Sequence, residues 1–112
     1  MYISYEGIGH VSVTFPLEEC SVGQVCKIND EGSISYCDEG DAILGIVESI
    51  STYTAAVQIH GFAKVKYTGT APTPGYFKLS ANGNGGVCVN ENGREYLVAN
   101  VDYIACTAII EL

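Results

Sequence analysis

The residues of this chain that could do chemistry are few, and their spacing decides which chemistry is open to them. Cys20, Cys26, Cys37, Cys88 and Cys106 include no C-x-x-C pair, and His10 and His60 stand far apart. Zinc wants closely spaced Cys or His ligands, so no zinc site is expected. The thiols read instead as small buried hydrophobes in a reducing cytoplasm, free rather than disulfide-bonded. Cys88 and Cys106 lie in apolar stretches, where a thiol is inert. Asp30/Glu31 and Asp38/Glu39/Asp41 have the oxygen donors calcium takes, but neither group follows the EF-hand spacing, and both read as solvated turns. Gly83, Gly85 and Gly86 imitate a phosphate cradle. A real cradle opens a helix, whereas Val87-Cys88-Val89 follows here and reads as a strand, which makes the glycines a hairpin turn. His60 has no nucleophile beside it in sequence. Glu48 and Glu95 could face each other across a cavity only if the fold brought them together. No catalytic constellation emerges, and neither an enzyme nor a cofactor is expected.

The elements that must position these residues are strands. The chain has 112 residues, 47% of them hydrophobic and 16% charged, with thirteen glycines and eight tyrosines. One packed β-rich domain follows. No window of ten or more residues carries a helical apolar period. The net charge of −8 arises from thirteen acids against five bases. There is no basic patch to displace counterions, so nucleic acid and anionic membrane are not expected partners. No apolar run approaches spanning length, and no basic-then-apolar N-terminus marks a secretory signal.

The central stretch is Ala55 to Tyr67, where Val57, Ile59, Ala63, Val65 and Tyr67 alternate with Gln58, His60, Lys64 and Lys66. It reads as one long strand bent at Gly61, with Phe62 on the wetter face. Val11, Val13 and Phe15 make a half-buried strand ending at Pro16, and Leu17 to Gly23 reads as an acidic loop. Gln24–Asn29 and Ser33–Cys37 form a hairpin around the Asn29-Asp30-Glu31-Gly32 turn. Ala42–Ile50 is a nearly continuous apolar strand in which Gly45 permits close approach of another backbone. Thr68–Gly75 is a proline-bearing loop. Strands follow at Tyr76–Ser80, Val87–Val89 and Glu95–Val101. Tyr103 to Leu112 closes the chain with Ile104, Cys106, Ala108, Ile110 and Leu112 on one parity.

Strands so regularly punctuated by glycine turns indicate an all-β fold, a small β-barrel or β-sandwich, with residues 10–112 as a single β-domain. A faint internal echo links Gly23–Ile28 with Gly75–Leu79: glycine, strand, lysine, aliphatic, turn. The two segments differ by one residue in length, which is too little to claim a duplication. Residues 1–9 are set apart by Gly7 and Gly9. They form either a first strand or an N-terminal arm that orders against a partner through Tyr2, Ile3, Tyr5 and Ile8. Phe62 joins these as a candidate partner contact, and with the apolar C-terminal strand it predicts self-association.

Three stretches together resemble bacteriophage or prophage head decoration proteins: Ile43-Leu44-Gly45-Ile46-Val47, Ala56–Ala63 with its V-Q-I-H-G-F core, and Tyr67–Tyr76 with the turn Y-T-G-T-A-P-T-P-G-Y. The closing Gly93-Arg94-Glu95-Tyr96-Leu97-Val98 fits the same pattern, which spans residues 10 to 112. The resemblance implies a non-enzymatic capsid accessory protein that binds the major capsid protein on the assembled head. It also implies a homo-oligomer, often a trimer at a symmetry axis, that is present in the host cytoplasm during assembly and then on the virion surface. A ligand- or carbohydrate-binding β-domain of a phage tail or cell-surface assembly is the rival reading, motivated by the tyrosines. It calls for an exposed aromatic row flanking a groove.

Overall fold

The computed structural model describes residues 9 to 112. Ten strands follow in order: β1 Val11–Glu19, β2 Val25–Ile28, β3 Ile34–Tyr36, β4 Gly45–Ile50, β5 Thr54–His60, β6 Phe62–Thr68, β7 Gly75–Ala81, β8 Val87–Val89, β9 Arg94–Asp102 and β10 Thr107–Glu111. The all-β expectation is met, and the sheet closes twice. Strands β1-β3-β2-β4-β5 form one closed barrel and β6-β8-β7-β9-β10 form a second.

The two barrels share one topology. The first strand of each pairs parallel with the third and antiparallel with the fifth, and the second pairs antiparallel with both the third and the fourth. The fourth and fifth strands pair antiparallel, and both pairs carry a bulge, which skips Glu48 in β4 and Ala99 in β9. Matching the registers superposes the interiors residue by residue. Phe15 corresponds to Val65, Leu17 to Tyr67, Cys26 to Leu79, Ile34 to Val87, Val47 to Val98, Ala55 to Ala108 and Val57 to Ile110. These pairs are the inward parity of their strands and make the two cores. Each fully buried Val, Leu or Ile contributes about 1.5–3 kcal/mol.

The echo between Gly23–Ile28 and Gly75–Leu79 therefore joins corresponding strands, β2 and β7. Its lysines do not correspond, however, because the register sets Lys78 opposite Glu95 where the first barrel sets Val25 opposite Ile46. The seam between the barrels depends on that difference. Val25, Cys37, Ile43 and Ile46 point out of the first barrel and pack into the core cluster of the second. Three backbone hydrogen bonds close the seam: Val25 N–H to the Gly85 carbonyl at 3.1 Å, Gly40 N–H to Ala81 at 2.9 Å and Ala81 N–H to Asp41 at 3.0 Å.

Three expectations need correction. Ala55–Tyr67 is not one strand, because Gly61 takes a φ of +94° and ends the ladder, handing β5 to the first barrel and β6 to the second. The first strand does not stop at Pro16. It runs on to Glu19, because the Leu17 N–H donates to the Tyr53 carbonyl at 2.9 Å and Leu17 then pairs with Ile34. The closing strand starts only at Thr107. The Asp102 carboxylate accepts from the N–H groups of Ile104 and Ala105, both at 3.0 Å, and Cys106 takes a φ of +56°. These local bonds hold Tyr103–Cys106 as a turn. Gly45 behaves as expected, since a Cβ there would collide with the Gln58 carbonyl oxygen of β5.

Candidate functional site

Phe62 opens β6 just past the Gly61 hinge, is half-buried, and pairs with Glu111. The hinge is held from inside by Gln58, whose buried amide donates to the His60 carbonyl at 3.1 Å and the Phe62 carbonyl at 2.9 Å. The Leu112 N–H donates to the Gly61 carbonyl at 2.9 Å. A shallow groove of about 260 Å³ lies over this junction, lined by Gly9, His60, Gly61, Phe62, Glu111 and Leu112. The other candidate contacts, Tyr2, Ile3, Tyr5 and Ile8, lie outside the described residues.

The structure gathers one polar cluster that the sequence did not announce. The Glu48 bulge turns its carboxylate toward β1, where His10 Nε2 lies 3.2 Å from Oε2 and 3.0 Å from Ser12 Oγ. Ser12 Oγ also donates to the Glu48 carboxylate. All three groups meet at one ring nitrogen. A general base instead stands between a nucleophile on one nitrogen and an orienting acid on the other, so the cluster is a hydrogen-bonded surface patch rather than a relay. Glu95 lies in the other barrel opposite Lys78, and so does not face Glu48.

A second cluster ties β2 to the loop after β3. Lys27 Nζ donates to Asp41 at 2.9 Å and Asp38 at 3.4 Å, and the Asp41 carboxylate also accepts from the Asp38 N–H at 2.8 Å. The hydrogen bond from Lys27 holds Asp41 below the ordinary carboxyl range, and the bond to Asp41 raises Lys27. The acids first read as solvated turn residues thus divide. Asp30 and Glu31 are exposed, whereas Asp41 fixes the loop that carries the seam. Among the described residues no group of three or more His, Cys, Asp or Glu could hold a metal ion.

The five cysteines are free thiols. Burial pushes Cys26 up to about 12 and Cys37 up to about 11. Cys106 departs from expectation: it is exposed in the turn before β10. Inertness by burial therefore holds for Cys26 and Cys37 but not for Cys106.

Two corresponding turns and their flanks carry exposed apolar side chains. The first carries Ile50 and Tyr53, with Tyr53 80% exposed, and the second carries Tyr103 and Ile104, with Ile104 98% exposed. Both turns are anchored alike, by Leu17 N–H to the Tyr53 carbonyl at 2.9 Å and by Tyr67 N–H to the Cys106 carbonyl at 3.0 Å. Their backbones are fixed while the side chains meet water. Ile104 escaped the sequence reading because it matched the strand parity. The signal that could have found it was Asp102, whose carboxylate favours a local turn.

A second groove, of about 320 Å³, lies along the seam and is lined by Ser21, Gln24, Val25, Tyr36, Cys37, Gly83, Asn84 and Gly85. Tyr36 is its single aromatic, and its hydroxyl hydrogen-bonds Ser21 Oγ at 2.5 Å. The chain matches no protein-family model, no curated protein and no solved structure.

Proposed function

We propose that this chain is a head decoration protein of a bacteriophage or prophage. In this reading it is a non-enzymatic accessory that binds the major capsid protein on the outside of the assembled head. It self-associates, as a trimer at a symmetry axis, and passes from the host cytoplasm to the virion surface. Neither nucleic acid nor membrane is its partner. The observation that carries the reading is the sequence resemblance over residues 43–47, 56–63, 67–76 and 93–98.

Two further features support it. Tyr53, Tyr103 and Ile104 stand exposed on backbone-anchored turns, an arrangement suited to docking on a firm surface with little ordering cost. The polar clusters are a His10–Ser12–Glu48 hydrogen-bonded patch and a Lys27–Asp41 loop tie. The carbohydrate-binding rival has less support, because the seam groove carries one tyrosine rather than an aromatic row.

Co-sedimentation tests the reading. Purified protein is mixed with assembled heads that lack it, taken from the phage whose genome encodes the chain. Saturable binding is expected, weakened at least about tenfold by the pair Tyr103→Asp and Ile104→Asp. Heads that pellet without the protein at every concentration would overturn it.

A further inference from the structure

The seam between the barrels is a head-to-tail contact, and each molecule carries an unused copy of both of its halves. In the seam, the Asn82–Gly86 turn of the second barrel lies against the start of β2 and the loop after β3. A Cβ on Gly85 would strike Gln24, and one on Gly83 would come within 3.2 Å of the Glu39 backbone nitrogen. The turn corresponding to Asn82–Gly86 in the first barrel is Asn29–Ser33. Val25 and Ile46 correspond to Lys78 and Leu97, whose face also carries Tyr76 and Glu95 on the same parity.

Both counterparts are open to solvent. Ile28, which corresponds to the fully buried Ala81, is 47% exposed, and Tyr76 is 69% exposed. The residues have changed together with the contact. In the seam a neutral Gly-Asn-Gly tip lies against Gln24 and Glu39 and accepts the Val25 N–H, beside the apolar Val25 and Ile46 that enter the core of the second barrel. At the free ends the tip is Asp30-Glu31 and the face presents Lys78 with the exposed Glu95 directly opposite it. Charge is also divided unevenly. Residues 10–60 carry eight acids and one base, whereas residues 62–112 carry four of each. Two first barrels therefore repel each other, and a first barrel on a second does not.

We propose that the seam contact recurs between molecules, with the Asp30–Glu31 turn of one copy seated on the β7–β9 face of the next around Lys78 and Tyr76. A contact of this kind is heterologous. It closes into a ring of barrels when the rotation allows, each chain supplying two. Lys78 takes the place of the seam's apolar centre, so the contact between molecules is more polar and more salt-sensitive than the one within. The inference stands on the internal repeat and does not require a capsid.

Sedimentation of the full chain over a concentration series tests it. The wild type is expected to self-associate at low salt, and raising the salt should weaken association. The pair Asp30→Lys and Glu31→Lys should weaken it at least about tenfold, as should Lys78→Glu alone. A chain carrying all three changes should recover association, because tip and face then exchange signs. All three sites are exposed, and unchanged thermal melting would separate loss of contact from loss of fold. A wild type that stays monomeric at every concentration would overturn the proposal, as would association indifferent to these charges or not recovered by the exchange.

Discussion

Asn29 and Asn82 do the same work in the two barrels. Each Oδ1 accepts from the backbone N–H groups two and four residues further on: Glu31 and Ser33 at 3.0 Å, and Asn84 and Gly86 at 2.7 and 3.1 Å. Each asparagine's own N–H donates across the turn, to Ser33 at 2.9 Å and to Gly86 at 3.1 Å. The two hairpins share this cap although their remaining residues differ. Their environments are unequal, because Asn82 is buried in the seam and also donates to Thr68 Oγ1 at 3.1 Å.

Asn82→Ala should therefore cost more than Asn29→Ala. Leaving the Gly86 N–H unpaired in the interior is worth about 1–3 kcal/mol, whereas water can replace part of the cap at Asn29, for a loss of about 0.5–1.5 kcal/mol. Urea unfolding of the two variants checks the order. Equal losses would mean that the seam does not exclude water.

Gly45 tests the packing between β4 and β5. Gly45→Ala should destabilise by at least about 1–3 kcal/mol or prevent folding, because the new Cβ meets the Gln58 carbonyl rather than a movable side chain. Gly69→Ala, which has open space around it but a φ of +73°, should cost about 1 kcal/mol through backbone strain alone. Thermal melting ranks the two, and a milder loss at Gly45 would contradict the close approach.

Thiol titration should proceed in steps. Cys106 reacts first in the native protein, Cys20 and Cys88 react more slowly, and Cys26 and Cys37 react only on unfolding. Ellman-type labelling followed by mass spectrometry assigns the order. Rapid native labelling of Cys26 would contradict its burial in the first core.

Acid should loosen two loops. Asp41 is held low by its hydrogen bond from Lys27, and Asp102 by those from the Ala105 and Ile104 N–H groups, both below the ordinary value near 3.8. A depressed folded-state value means stability that is complete above the unfolded value and lost as pH falls through the folded one. Unfolding followed below pH ~4 should therefore steepen in the wild type and flatten in Asp41→Asn and Asp102→Asn. An identical acid limb in all three would contradict the bonds.

Much of the strand inventory was legible because alternation and glycine turns report directly on pleat and hairpin. Gly45, the Asn29 turn and the Gly83–Gly86 turn were all read from local chemistry. The doubled barrel was not legible, because its repeat lies in register and topology. Cys26 corresponds to Leu79 and Leu17 to Tyr67, and no residue-type match betrays those pairs. The boundary missed at Pro16 depended on a backbone hydrogen bond to a distant residue, Leu17 to Tyr53, whereas those at Gly61 and Cys106 turned on a positive φ and, before Thr107, on the local bonds of the Asp102 carboxylate. The His10–Ser12–Glu48 patch was invisible for a related reason: a bulge aims Glu48, and the bulge is a property of pairing.

The central claim is that this chain decorates an assembled phage head. Electron microscopy of heads made with and without it tests that most directly. The account predicts extra density on the outer capsid surface of the first sample alone, fitted by tandem five-stranded barrels with the Tyr103–Ile104 turn against the shell. Identical maps from the two samples would contradict it.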